Sequence, residues 1–471
     1  MRHSILRSTA LLVFSAFTQA QTPMQGIDSP QLNAELLRHY QALVRIDTTD
    51  PPGNESKAVE YIQHVLETEG IPVIVTAKDP ARANLIARIK GNGSKRPILL
   101  LGHTDTVRVD ASKWTFPPFS ATQDGGYIYG RGTLDNKWQV AAGMMTMLLL
   151  KRGAVALDRD VIFAAEAGEE ASTGPGIEHL IAQNWNDIDA EACLAESGSV
   201  LRTNGWDRYA LVQTGEKRPN GARLVAHGPS GHGSRPMRSS AILHLSEAVE
   251  KVALWDPPMR FNDTTRAYFE KLATLSTREQ ADRYNNLFDP AKSAASREYL
   301  AEHEPGRYSM LHTSISPNVI SGGFQINVIP SEAEATLDIR ALPDENLPAF
   351  FDMMRKVIND PSVEVIPEAK NARPGAAPSR IDSEIYHAIE AAHRKIYQVP
   401  TIPTMSTGAT DMAFLRAKGM QCYGVGIAVD EEDADKGFAA HSDQERIRED
   451  SLYKFIQFQW DVLTSVAMSK K

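Results

Sequence analysis

Two histidines and a set of carboxylates stand in this 471-residue chain at places from which they could converge. His103 and Asp105 follow the apolar run PILLLG, and Asp135 follows Gly130-Arg131-Gly132. Glu169 and Glu170 follow VIFAA, Glu196 follows CLA, and His441 follows Ala439-Ala440. In α/β sheets, ligands bind beyond the carboxyl ends of the strands, so polar groups delivered there by separate strands meet in space without meeting in sequence. Imidazole and carboxylate donors without a thiolate suit zinc or another borderline divalent cation. Two such cations, about 3.5–4 Å apart in dinuclear sites, need a shared carboxylate to offset their repulsion. Such cations lower the pKa of a bound water to about 7, making hydroxide available at neutral pH. Singly, each element has a plainer meaning: a capped turn for His103-Thr104-Asp105, a solvated face for Glu169-Glu170, a helix cap for Asp135 and a surface residue for His441. The ordered set, each member expected at a strand exit, points to a site.

The elements that must position these groups alternate between helix and strand. Residues 30–46 have helical apolar spacing, with Ser29 as N-cap and Pro30 in the first turn. A second helix is expected over 55–69, ending at Gly70, and a third over 136–151. Strand-like runs cover 72–76, 84–89, 97–102, 160–165 and 191–195, and PILLLG is continuously apolar, as a strand buried on both faces should be. The alternation predicts an α/β catalytic domain whose mixed, mostly parallel sheet is covered by helices. Near Gly215 the texture changes to alternating runs such as ARLVAHG and EATLDIRAL. We expect an inserted α+β lid or dimerisation domain over 216–370, with a charged helical stretch at 255–307 laid on it. The catalytic domain then comprises 21–215 and 371–471.

Bulk properties narrow the function. A net charge of -9 leaves no basic surplus for phosphates, which argues against a nucleic-acid partner. Arg2, His3 and Arg7 precede a short apolar run at 10–17 and the small-residue site Thr18-Gln19-Ala20, the pattern of a cleavable signal peptide over 1–20. That run is too short to span a membrane, and we expect a periplasmic or secreted protein. Cys193 and Cys422 form no CxxC pair and sit in apolar contexts, so both are expected to be buried thiols.

The strings GHTDTV, YGRGTLDNK, AAEAGEEAS, LAESG and AAHSDQERI resemble, in order, the five signature segments of the co-catalytic zinc carboxypeptidase/aminoacylase family. That family includes carboxypeptidases G and S, the aminoacylases and succinyl-diaminopimelate desuccinylase. The resemblance implies that His103 and Glu196 bind one metal, Glu170 and His441 the other, and that Asp135 bridges both. It makes Glu169 the general base and Asp105 the partner of the second nitrogen of His103. Within the inserted segment, GPSGHGSRP resembles the family's lid motif, and His232 would donate to the oxyanion. Asn327 in GGFQINVIP matches a substrate-contacting asparagine, and Arg340 in LDIRAL matches an arginine that grips the substrate carboxylate. Gly408 and Thr410, in STGATD, belong to a glycine-rich substrate loop. Two departures stand out: Trp138 and Ser442 each occupy a position where the family usually has glycine.

By this resemblance the chain is a metal-dependent hydrolase with two divalent ions, zinc or else cobalt or manganese, cutting an amide bond next to a free carboxylate in a small peptide or N-acyl amino acid. Glu196 favours that subgroup, since aminopeptidase relatives generally carry Asp there. A dipeptidase or aminopeptidase on the same scaffold, or a non-catalytic binding module, are the alternatives. The lid histidine of simpler relatives serves a neighbouring subunit, which implies a homodimer. An enlarged lid, as in carboxypeptidase S and its N-acyl-amino-acid relatives, can replace that neighbour, and both arrangements stay open.

Overall fold

The computed structural model describes residues 28–368 and 373–469; the expected signal segment lies outside them. The helix Pro30–Arg45 starts where Ser29 accepts a hydrogen bond from Leu32 N at 3.2 Å, and it buries Leu36, Tyr40, Leu43 and Val44. Helices Ser56–Thr68 and Lys137–Arg152 follow the expected spans to within a residue or two. Lys137–Arg152 is buried nearly all round, because it lies between the sheet and the helices Pro30–Arg45 and Glu449–Ala467. Gly143 permits its approach: a Cβ there would sit 2.5 Å from the Phe163 ring.

Among the described residues, the large sheet has ten strands. At its centre Val161–Glu166, Ile98–His103, Ala192–Ala195 and Gln421–Gly424 run parallel, side by side. Antiparallel strands flank them, Ala83–Ile89 on one side and Trp206–Glu216 on the other. The central strands are buried at every residue but Gln421, as the uninterrupted apolar runs required. Cys193 and Cys422 are directly opposite on adjacent strands, both free and fully buried.

The inserted domain is built on a four-stranded sheet in the order Ser314–Gly322, Glu332–Ala341, Arg218–His227, Val363–Glu368. Glu332–Ala341 alternates buried and half-exposed residues along its length, the signature of a sheet covered on one face. Helices Ala241–Ala253 and Leu347–Ile358 cover that face and close a separate core around Leu224, Leu245, Leu337 and Phe350. The charged stretch is helical, as Asp263–Thr274, Arg278–Asn286, Ser293–His303 and Pro305–Ser309. It does not lie on this sheet. Its core residues Tyr268, Phe269 and Leu272 pack with Ile402 and Met405 of the strand Thr401–Ser406, on the catalytic sheet. Weak apolar periodicity in that stretch concealed which layer it would join.

Candidate metal centre

The five proposed ligands come together in two overlapping triads. One is His103, Asp135 and Glu196; the other is Asp135, Glu170 and His441; within each, one donor atom per residue lies within 4.8 Å of the rest. Asp135 belongs to both. Its Oδ1 is 2.9 Å from His103 Nε2 and its Oδ2 is 3.2 Å from His441 Nε2. Glu196 Oε2 is 3.3 Å from His103 Nε2, and Glu170 is 3.0 Å from His441 Nε2. One carboxylate thus offers an oxygen to each side, the arrangement a bridging ligand requires.

Their supports differ. His103 is the last residue of Ile98–His103, Glu196 follows Ala192–Ala195 directly, and Glu170 stands four residues beyond Val161–Glu166. Asp135 and His441 are not at exits of the large sheet. Asp135 lies in the turn between Tyr127–Tyr129 and the helix Lys137–Arg152. His441 lies in the loop between helix Glu431–Asp435 and strand Arg446–Arg448, with a left-handed φ of 64°. Tyr127–Tyr129 and Arg446–Arg448 pair with each other in a small three-stranded sheet, and this brings the two loops together.

The electrostatics fit a cation pair. Burial works against a charged His103, yet Glu196, Asp105 and Asp135 hold its pKa well above the ordinary histidine range. His441 is pushed up to about 10 by hydrogen bonds to Asp135 and Glu170. Burial pushes Glu170 up to about 7, with Asp135 adding repulsion. Burial likewise opposes a charged Asp135, but its two imidazole partners hold it well below the usual carboxylate range. Three carboxylates this close stay ionised together only beside positive charge, and two imidazoles with three carboxylates form a donor set for borderline divalent cations. The residues present fit two such ions.

Asp105 is fully buried and fixes the turn that carries the adjacent glutamates. It accepts from Glu169 N at 3.1 Å and Glu170 N at 3.0 Å, and its Oδ1 lies 3.4 Å from His103 Nδ1. Gly168 lets that turn form: its φ is +73°, and a Cβ would sit 2.3 Å from Ser172 O. With Asp50 and Glu55, Asp105 makes a third close acidic group, but Arg82 already pairs with both of those carboxylates. The Glu169 carboxyl is forced well above the ordinary range by burial and by Glu196 and Asp411, while its Oε1 accepts from Arg373 Nη2 at 3.0 Å.

A cleft of about 410 Å³ opens on this cluster. Asp135, Glu169, Glu170, Glu196, His441, Arg340, Arg373, Gly408 and Thr410 all line it. Asp338 holds Arg340 by its Nε, at 2.9 Å and 3.2 Å. The Thr410 hydroxyl is committed to Glu216 at 2.7 Å, which makes it a brace of the loop. Gly408 is open by contrast, since a Cβ there would meet nothing closer than Ser406 Oγ at 3.5 Å. His232 and Asn327 are not among the cleft's lining residues. They sit together on a small exposed ribbon, where His232 pairs with Val328 and Gly233 N donates to Asn327 O at 2.8 Å.

Sequence inspection missed Glu445 and Arg373. Glu445 is fully buried and accepts from Arg131 Nη1 at 2.6 Å, Leu134 N at 2.5 Å, Asp135 N at 3.2 Å and Gly132 N at 3.3 Å. It anchors the turn bearing the shared carboxylate. Both departures from the family pattern also serve the two ligand loops. Trp138 Nε1 donates to Leu134 O at 2.8 Å, and the single Ser442 hydroxyl proton faces the carbonyls of Gly437, Ala439 and Gln444, all 2.6–2.9 Å from Oγ.

Residues 99–464 match the family profile of peptidase family M20/M25/M40. The chain belongs to that family. It is therefore a metallohydrolase of the M20 type, acting on peptide or amide bonds, and its clustered donors fit two metal ions. Among curated M20 relatives, it is 28% identical to the probable carboxypeptidase S-like 2 of Dictyostelium discoideum, over 70% of this chain and 64% of that one, just under two thirds of the relative's length. It is 27% identical to the human N-fatty-acyl-amino acid synthase/hydrolase PM20D1, over 86% of this chain and 84% of that one. The M20 metallo-carboxypeptidase Sso-CP2 of Sulfolobus solfataricus shares the fold, with a TM-score of 0.68 at 19% identity over 92% of this chain and 99% of that one.

Proposed function

We propose that this enzyme hydrolyses an amide bond adjacent to a free carboxylate, in an N-acyl amino acid or a short peptide, with Glu169 as general base. One observation carries the proposal: four of the five clustered ligands, the Glu169 carboxyl and the Arg340 guanidinium share a single cleft. Two divalent ions held there, zinc or on the same donors cobalt or manganese, would supply Lewis acidity and make water more acidic near neutral pH. The chain's own residues do the rest. Arg340 grips the substrate carboxylate with its planar fork and so fixes which amide lies over Asp135. Glu169 takes the proton of the attacking water and returns it to the leaving nitrogen as the C–N bond breaks, giving a carboxylate and an amine.

An apolar chamber of about 420 Å³ adjoins the polar cleft and shares Asp135, Glu196 and Ser197 with it. Leu134, Trp138, Leu201, Ile427, Val429 and Phe438 form most of its wall, and the charged Asp430, Glu431, Asp433, Arg446 and Arg448 also line it. A substrate polar at one end and apolar at the other fits this division, which favours an apolar acyl group on the amino acid, in keeping with the name of the PM20D1 relative. His232 and Asn327 are assigned to the cleft of a neighbouring copy, and the exposed apolar residues beside them, Val319, Ile320, Phe324 and Ile326, support a dimer contact. The domain boundaries at 215–216 and 370–371 and export by the 1–20 segment complete the proposal.

The test is hydrolysis of N-acyl amino acids of increasing chain length and of free and amine-blocked dipeptides, each with and without a chelator. We expect chelator-sensitive turnover that requires the free carboxylate, with kcat/KM rising about fourfold per methylene until the chamber fills. Turnover that needs a free substrate amine, or that ignores the chelator, refutes the proposal.

A further inference from the structure

We propose that Arg373 is a positioning residue, which aims the Glu169 carboxylate and ties that aim to the hinge of the inserted domain. Arg373 stands where the chain returns from the inserted domain, beyond the strand Val363–Glu368. Its guanidinium spans two carboxylates. Nη2 donates to Glu169 Oε1 at 3.0 Å and Nη1 donates to Asp411 Oδ1 at 2.5 Å. Asp411 is itself 2% exposed and stands at the start of helix Met412–Ala417, so one end of the fork is anchored in the core. A second contact from Nη2 reaches Glu169 O at 3.3 Å. The fork therefore fixes both the carboxyl and the backbone of Glu169, the only glutamate of the Glu169-Glu170 pair not bonded to His441.

The backbone of Arg373 is fastened to the outgoing hinge strand. Arg218 Nε, at the first residue of Arg218–His227, donates to Arg373 O at 3.4 Å. Next to it, Gly375 lies so close that a Cβ would meet Pro343 O at 2.7 Å and Arg218 Nη1 at 3.1 Å. Ser379 N then donates to Thr214 O at 2.7 Å. The two connectors between the domains are thus packed on each other, and the side chain aimed at the base grows from that junction. A planar, two-pronged donor holds such a geometry where a lysine cannot, because one ammonium on a flexible stem cannot span both carboxylates in fixed orientation. Arg340, by contrast, is tethered by Nε to Asp338 and has no contact with Glu169 among the described hydrogen bonds, which leaves the two guanidiniums of the cleft with separate tasks.

This inference rests on Glu169 being the base, and the experiment separates the two. Purified metal-loaded Arg373→Ala, Arg373→Lys and Asp411→Asn are compared with wild type and Glu169→Ala for kcat, KM, bound metal and thermal midpoint, with and without added guanidinium chloride at low millimolar concentration. We expect kcat to fall on the order of 100-fold in Arg373→Ala with KM changed less than about threefold, since a misplaced catalytic group costs about that much. Bound metal stays at two equivalents, Arg373→Lys recovers little, Asp411→Asn lowers kcat in the same direction, and guanidinium restores part of the rate in Arg373→Ala but none in Glu169→Ala. Unchanged kcat in Arg373→Ala overturns the inference, as does a raised KM at constant kcat, which would make Arg373 a substrate-binding group. If Arg373→Ala loses metal or does not fold, Asp411→Asn and Arg373→Lys decide by the same split in kcat and KM. Wild-type enzyme without chelator-sensitive turnover, or an active Glu169→Ala, instead defeats the proposed function.

Discussion

Replacing Glu445 by glutamine should loosen the metal centre although Glu445 binds no metal. Its carboxylate is fully buried, and four donors converge on it: the Arg131 guanidinium and the backbone N–H groups of Gly132, Leu134 and Asp135. In Glu445→Gln one oxygen becomes an NH₂, so two of those donors face another donor, and Arg131 keeps its charge without a counterion. Removing one partner of a buried ion pair costs about 3–5 kcal/mol. That corresponds to a fall on the order of 10 °C in the midpoint of the catalytic domain. The turn that slackens carries Asp135, and loss of a group that orients a ligand typically weakens metal binding about 10–100-fold. The assay is competition for zinc against a chromophoric chelator, alongside calorimetry of the metal-free protein. The companion variant Arg131→Gln, and the double variant, should show strong coupling, because the second substitution removes a charge already orphaned by the first. A Glu445→Gln protein with wild-type zinc affinity and a midpoint within two or three degrees, roughly the worth of 1 kcal/mol, would refute the anchoring role.

Glu169→Gln should lower kcat about 10²–10⁴-fold while the protein still binds two metal equivalents, measured by turnover and elemental analysis on the same sample. The chelated protein should lose stability as pH rises from about 4.5 to about 7: the folded Glu170 carboxyl is raised to about 7, so the native state binds the extra proton across that window and releases it at the top. His441 works in the same direction at higher pH, its contribution being present below its ordinary pKa and fading as pH approaches about 10. Urea titrations of the chelated protein at pH 5 and pH 7 read the slope, and added zinc should reverse it. Ile326→Asp, on the exposed patch beside Asn327, should convert a dimer to a monomer in sedimentation and reduce kcat as His232→Ala does, whereas a monomeric wild type contradicts the trans assignment of His232.

Much of the fold was legible because its central strands advertise themselves. PILLLG, VIFAA and CLA are uninterrupted apolar runs, and only a sheet covered on both faces accepts several of these in alternation with helices. Ligand types were legible for a related reason: a polar side chain directly after such a run has nowhere to go but the strand exit. His103 and Glu196 illustrate this. Glu445 and Arg373 had no comparable signal. In SDQERIRED, Glu445 looks like one more solvated acid, and its burial arises only because the turn around Asp135, some three hundred residues earlier, folds over it. Arg373 stands in a polar connector, NARPG, where composition says loop and nothing more. The helices over 263–309 defeated the expectation about their layer because their apolar residues are few and their partners, Ile402 and Met405, lie far along the chain on the large sheet, where spacing cannot reach.

The same contrast divides the metal centre into unequal halves. His103 ends one buried parallel strand and is 2% exposed, and Glu196 directly follows another; the sheet carries both, with Asp105 beside the second nitrogen of His103 and Asn136 Nδ2 donating to Glu196 Oε2 at 2.9 Å. His441, with a side chain 51% exposed and a left-handed backbone, comes from an irregular loop held by Ser442, whereas Asp135, which faces both histidines, comes from a turn held by Glu445 and Trp138. The two positions at which the resemblance led us to expect glycine, Trp138 and Ser442, stand beside Asp135 and His441, which no strand of the large sheet carries. A glycine in either position offers no side-chain hydrogen bond and more backbone freedom; tryptophan and serine replace freedom with fixed contacts. On the proposed ligand assignment, the ion on Glu170 and His441 should leave first on gradual chelation, and Ser442→Gly should weaken that ion while sparing the one proposed for His103 and Glu196.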